Sequence, residues 1–279
     1  MNFRAVWSLV ASLAFLGGAI VDAAGVLEID MVFPRDNQTY EPTPYMPIVF
    51  ALRNAELAQY LRPSISARLL NLSASRADVG HGVMTYPPLE WANFSSQEPY
   101  FTYEFQGSRF ATEGNWSIFW DVAWGSCKED EDGVFRGDVV YNHSSTYRIN
   151  IDIKNGGQVA DLVAATANGN SCFNDGVAIN VTDQLVNVTN LRHSNPGPPF
   201  ETCVVVASST PTPTPDPCLV KIDSAVAASI SASLTAKLCN RFNPPSDIDC
   251  PPESAAQRLA VAGVVCLAAA VGAFGFILG

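Results

Sequence analysis

The chain has 279 residues, and its 27 acidic against 16 basic side chains leave a formal charge of −11. A surface of that sign repels phosphate backbones, which excludes nucleic acid as a partner, and the scattered lysines (Lys128, Lys154, Lys221, Lys237) form no basic run to grip anionic lipid heads. With 48% hydrophobic and 10% aromatic residues the chain can still bury a sizeable core.

Met1 to Ala24 carries one cation, Arg4, then an apolar run from Ala5 to Ile20 and the short residues Val21-Asp22-Ala23-Ala24. This is the pattern of a secretory signal peptide over residues 1–23, with cleavage after Ala23 so that Val21 and Ala23 fill the small-residue positions. The run is short for a bilayer core of about 30 Å, which disfavours a membrane anchor.

Several segments of the body then alternate as strands with one buried face do. In Tyr147 to Lys154 the odd positions are apolar, and in Trp116 to Trp124 the even positions form a Trp-Ile-Trp-Val-Trp stripe. Leu27 to Met31 and Phe101 to Phe105 alternate likewise, whereas Pro47 to Leu52 is apolar on both faces, as an inner strand under cover would be. Ile65 to Leu70, Val177 to Val181, Leu185 to Val188 and Thr202 to Val206 are further strand-like runs. Turn clusters such as Tyr86-Pro87-Pro88 and Asn155-Gly156-Gly157 separate them, and the sum predicts an all-β, immunoglobulin-like antiparallel β-sandwich over residues 24–206.

Seven N-x-[ST] acceptors test that assignment, because a glycan cannot be attached to a side chain pointing into a core: Asn37, Asn71, Asn93, Asn115, Asn142, Asn180 and Asn187. Asn115 shares parity with Ser117 and Asp121, Asn142 with Arg148 and Asn150 if that strand extends so far, and Asn180 and Asn187 stand opposite valines and isoleucines. Asn71 shares parity with Ile65 and Leu69, so its strand is expected to end before it.

Residues 207–217 alternate Ser, Thr and Pro and read as an extended linker. A disulfide-tied helical segment follows over 218–253, with Ile222, Val226, Ile230, Leu234 and Leu238 at four-residue spacing on one narrow apolar stripe. Six cysteines outside the C-terminal tail, Cys127, Cys172, Cys203, Cys218, Cys239 and Cys250, read as three disulfides in an oxidising compartment. A continuous helix would hold Cys218 and Cys239 roughly 30 Å apart, far beyond the reach of a disulfide. Cys218 to Cys250 is therefore the favoured local pair, leaving Cys239 for a sandwich cysteine, with Cys239 to Cys250 the competing arrangement.

Residues 254–279 hold a small triplet, Ser254-Ala255-Ala256, and the uncharged run Leu259 to Gly279, in which Cys266 lies. At 1.5 Å per residue that run would span about 31 Å as a helix. With no cationic flank after it, the segment is expected to be a GPI-attachment signal with Ser254 as the lipid-bearing residue, a retained membrane helix being the alternative. Either would hold the protein at the cell surface, on plasma membrane or cell wall, with cell-wall polysaccharide or another surface protein as the partner outside the membrane.

The segment Gly25-Val26-Leu27-Glu28-Ile29-Asp30-Met31-Val32-Phe33-Pro34, the run Tyr45-Met46-Pro47-Ile48-Val49-Phe50-Ala51, Gly114-Asn115-Trp116 and the helix between Cys218 and Cys239 together resemble an uncharacterised family of secreted fungal proteins, a domain of unknown function. These are packing motifs. The resemblance implies a cell-surface or secreted glycoprotein and brings no activity with it.

Candidate chemistry is sparse. His81, His143 and His193 lie in polar, loop-like contexts without a GxSxG serine or HExxH helix, which speaks against a serine hydrolase or zinc protease. The acidic loop Glu129 to Gly133 matches a calcium loop at Asp130, Asp132 and Gly133, but Lys128 and Val139 occupy its first and last ligand positions, so it reads as a solvated turn. Arg136-Gly137-Asp138 is treated as a chance adhesion tripeptide, and Trp116, Trp120 and Trp124 as core. Trp91, Tyr86 and Tyr100 are the better exposed aromatics. No catalytic residue, metal ligand or cofactor is assigned; a structural or binding module is expected, with a secreted carbohydrate-active enzyme or carbohydrate-binding domain as the alternative.

Overall fold

The computed structural model describes residues 24–74, 82–90, 92–130, 132–167, 175–188, 202–207, 213–240 and 250. Within them the chain runs through β1 (Gly25–Phe33), β2 (Gln38–Tyr40), β3 (Pro47–Arg53), a single helical turn α1 (Ala58–Leu61), β4 (Ser64–Asn71), β5 (Val83–Thr85), β6 (Tyr100–Phe105), β7 (Gly114–Glu129), β8 (Phe135–His143) and β9 (Tyr147–Ile153). Then come α2 (Leu162–Ala167), β10 (Gly176–Asn187), β11 (Thr202–Val206) and α3 (Ser224–Cys239). Two sheets result, with strand orders β11-β10-β1-β3-β6 and β2-β9-β7-β4-β5, and one of the two curls into a half-barrel. The protein is mostly β with a C-terminal helix, as the alternation predicts.

The first sheet is antiparallel throughout, while β2 joins the second by pairing parallel to β9. Strand β7 organises the second sheet. Its 16 residues pair with β4 along one side, with β9 over Gly114–Trp120 and with β8 over Ala123–Glu129. The inward residues follow the predicted parity: Leu27, Ile29 and Met31 from β1, Ile65, Ala67 and Leu69 from β4, Trp116, Ile118, Trp120 and Val122 from β7, and Ile149, Ile151 and Ile153 from β9 are buried in one core. Trp120, fully enclosed, meets Phe50 edge-on at 5.5 Å and Tyr147 at 4.6 Å.

The outer face of the first sheet is covered as well, which is why β3 is apolar on both sides. Helix α3 starts on the cap of Asp223, whose Oδ1 accepts the Val226 N–H at 2.8 Å, and sends Ile230 into the main core alongside Val220 and Ile222 from the approach segment. Lys237 in its last turn pairs with Glu104 of β6 at 3.2 Å. The apolar stripe read from the sequence therefore docks on the molecule's own sheet.

Three expectations are corrected. Cys239 bonds Cys250, the competing arrangement, and Cys218 is disulfide-bonded to a partner outside the described residues, so the favoured Cys218 to Cys250 pair does not form. Cys239 ends α3 and Cys250 follows only 11 positions on, so this bond joins near neighbours in sequence. Cys127 of β7 bonds Cys203 of β11, stapling one sheet to the other.

Strand β4 also runs through Asn71, which pairs with Trp116, rather than ending before it. Asn142 does not share a face with Arg148. Ala123 pairs with His143 but Trp120 with Tyr147, a one-residue step over 144–146 that turns Asn142 to the face of its partner Trp124.

Candidate functional site

Alternation along β1 sends Glu28 and Asp30 to the face opposite the core, and antiparallel pairing fixes their neighbours. Arg53 of β3 lies across from Glu28, while Asp30 is flanked by Ala51 and Gly176. Small neighbours leave room for a carboxylate to lie flat, and a Cβ at Gly176 would collide with the Asp30 Oδ1.

The C-terminal segment closes over this group. Pro215 lies against Gly176, the Asp216 N–H donates to the Glu28 Oε2 at 3.0 Å, and Arg53 Nη2 donates to the Asp216 carbonyl at 2.7 Å while also pairing with Glu28. Further on, the Ile222 N–H donates to the Thr166 Oγ1 at 2.9 Å, fastening the segment to α2, and Arg35 Nε donates to the Ala165 carbonyl at 3.0 Å.

Asp30 is thereby sealed at 0% exposure. Neither carboxylate oxygen has a hydrogen-bond partner among the described residues, and Arg53 Nη2 stands 3.9 Å off. Burial pushes the Asp30 carboxyl up to about 7, an effect opposed by Arg53 and reinforced by Glu28 and Asp216. The same desolvation lowers Arg35 and lifts the Tyr40 hydroxyl to about 12. A group of this kind exchanges its proton near neutrality. Behind its cover it touches no solvent, so its chemistry acts on the stability of the closed segment.

The residues singled out from the sequence scatter over the surface. Asn37, Asn93, Asn115 and Asn187 are exposed, Asn71, Asn142 and Asn180 are half-buried, and none of the seven is enclosed. Asn142 Nδ2 donates to the Ser126 Oγ at 2.8 Å and Asn115 Nδ2 to the Asp152 carboxylate.

His143 is exposed. The acidic turn is a hairpin closed by the Asp130 side chain, whose Oδ1 accepts the N–H groups of Asp132 at 3.1 Å and Val134 at 2.8 Å, and Arg136-Gly137-Asp138 lies in strand β8. Among the described residues no group of three His, Cys, Asp or Glu side chains could hold a metal ion, and no helix is long and apolar enough to cross a membrane. Tyr86 is exposed, while Tyr100 packs against Phe94 at 5.3 Å. His81, Trp91, Cys172, His193, residues 1–23 and Ser254 lie outside the described residues.

The reading of the sequence missed the Glu28, Asp30, Arg53 and Asp216 cluster because polar positions of an alternating strand are taken to face water. The signal was present in β3, whose doubly apolar run already requires a covered outer face that its neighbour β1 must share.

A family model describing a domain of unknown function, DUF7136, matches residues 22–248. The chain belongs to the DUF7136 family. That match takes in both sheets, the segment over Asp30 and α3, so the DUF7136 domain includes the C-terminal cover together with the sheets it closes. Comparison with curated proteins and with solved structures returns no match.

Proposed function

We propose that this DUF7136 protein is a secreted or cell-surface N-glycoprotein of the fungal type, serving as a structural or binding module of the cell wall. The observation that supports this reading is the pair of disulfides. Cys127 and Cys203, buried and 76 positions apart, join the two sheets, and Cys239 with Cys250 closes the end of α3. Such bonds persist in oxidising compartments and are rare in a reducing cytosol.

The glycan acceptors agree with it, since none is enclosed. Membrane attachment through a lipid on Ser254, and immunoglobulin-like kinship of the two sheets, belong to the same proposal. The parallel β2–β9 pair and the half-barrel curl are departures from a simple immunoglobulin plan.

A carbohydrate-active enzyme is the second reading. It is weakened because Asp30, the carboxyl lifted to about 7, is sealed from any substrate.

In cells making the full chain, we expect phosphatidylinositol-specific phospholipase to release the protein and N-glycosidase to increase its electrophoretic mobility. Retention on membranes with Leu259–Gly279 peptides recovered would replace the lipid anchor by a membrane helix. Hydrolysis of a cell-wall glycan that disappears with one carboxylate substitution would replace the binding module by an enzyme.

A further inference from the structure

We propose that the solvent face of the second sheet binds an acidic glycan, a uronate-containing oligosaccharide, on the row Arg68, Phe119 and Arg148; this rests on the reading of the protein as a cell-wall binding module and names the ligand. Cross-strand pairing builds the row. Arg68 of β4 and Arg148 of β9 both lie opposite Phe119 of β7, and Met84 of β5 extends the line beyond Arg68. The two guanidinium carbons stand 5.4 Å and 6.0 Å from the centre of the half-buried Phe119 ring, one from each side.

Both arginines are exposed, and among the described residues neither pairs with a carboxylate or donates a hydrogen bond. In a chain of charge −11, two guanidinium groups flanking one ring with no carboxylate in ion-pair reach, although Asp121 and Asp152 lie on the same face, keep their charge and donors for an anion from outside. Rows on either side are polar and already satisfied: Ser66 Oγ donates to the Asp121 Oδ1 and Ser117 Oγ to the Asn150 Oδ1, each at 2.6 Å. The platform is therefore rigid, with its unused bonding capacity concentrated on the arginines.

The chemistry of the row selects the ligand. A guanidinium fork takes a carboxylate through two parallel hydrogen bonds, and the outward edge of the ring between the forks is left for the C–H groups of a pyranose. An acidic peptide is the competing ligand of the same charge, and it could add a backbone strand at the edge strand β5, where Met84 ends the row. An N-glycan on Asn115 would root on the same face about 13 Å along β7 from Phe119, at a rise of about 3.3 Å per residue, and would border the row.

The test is calorimetric titration of the full chain, produced through a secretory pathway, with trigalacturonic acid, with neutral chitotriose and with triglutamate. We expect only trigalacturonic acid to bind, with affinity at least tenfold lower in the Arg68→Gln, Arg148→Gln double variant and in Phe119→Leu. No binding of trigalacturonic acid, binding undiminished in both variants, or equal binding of triglutamate would overturn the proposal. Melting curves check folding, and should Phe119→Leu unfold, the double variant at two exposed positions carries the result. If trigalacturonic acid fails while disulfides and N-glycans are in place, the glycan site alone falls; reduced, sugar-free protein would remove the reading beneath it.

Discussion

At the scale of single residues, Asp30 is where folding and protonation meet. Its carboxyl titrates near 7 in the folded protein against an ordinary 3.8, because burial removes water and Arg53 is already committed to Glu28 and the Asp216 carbonyl. Below about pH 4 the acid is protonated in folded and unfolded chains alike and contributes nothing. Between about 4 and 7 the unfolded chain releases its proton while the folded one holds it, so stability falls as pH rises and levels off above about 7. At 1.36 kcal/mol per unit the loss is on the order of a few kcal/mol. Asp30→Asn is therefore expected to raise the melting temperature at pH 8 and to leave it nearly unchanged at pH 4; an equal effect at both pH values would show that Asp30 is not the titrating group.

At the scale of elements, the legible strands are those with a strong two-residue period. The Trp stripe of β7 and the isoleucines of β9 lie where the alternation puts them, on the core face. β2 and β5 have three residues each, too few for a period to register. β8 was hidden by Gly137 and Asp138, which weaken a strand pattern locally, although pairing along β7 carries the strand through them. Leu185 to Val188 looked separate because polar Thr182, Asp183 and Gln184 intervene, and the register of β10 against β11 does shift there. That the face holding Asp30 is covered was legible in β3, but what covers it was not, since the cover is a segment more than 180 positions away folding back over β1. Helix α3 closes that cover, and removing its cap by Asp223→Ala should cost about 1 kcal/mol in chemical denaturation. A loss well below about 0.5 kcal/mol would mean that α3 docking contributes little to the cooperative unit.

At the scale of the whole molecule, two sheets facing each other across one core are held at one end by a second, smaller cluster: Cys127, Cys203 and Val205, with Val139, Val186 and Val188 around them. The disulfide there closes a long loop, and in the chain-entropy account such a bond stabilises mainly by restricting the unfolded ensemble. Replacing Cys127 and Cys203 together by serine is expected to lower unfolding free energy by about 2–5 kcal/mol, read from denaturant titration without reductant. An unchanged midpoint would show that packing alone holds the sheets together. The pairing itself is the most direct test of the account of an oxidised, glycosylated surface protein. Peptide mapping of the full chain from its native cell, without reduction and after N-glycosidase, should recover Cys127 linked to Cys203 and Cys239 linked to Cys250, with the deamidation mark of glycan removal on exposed acceptors such as Asn37, Asn93 and Asn187. Free thiols at those four cysteines together with unmodified asparagines would contradict it.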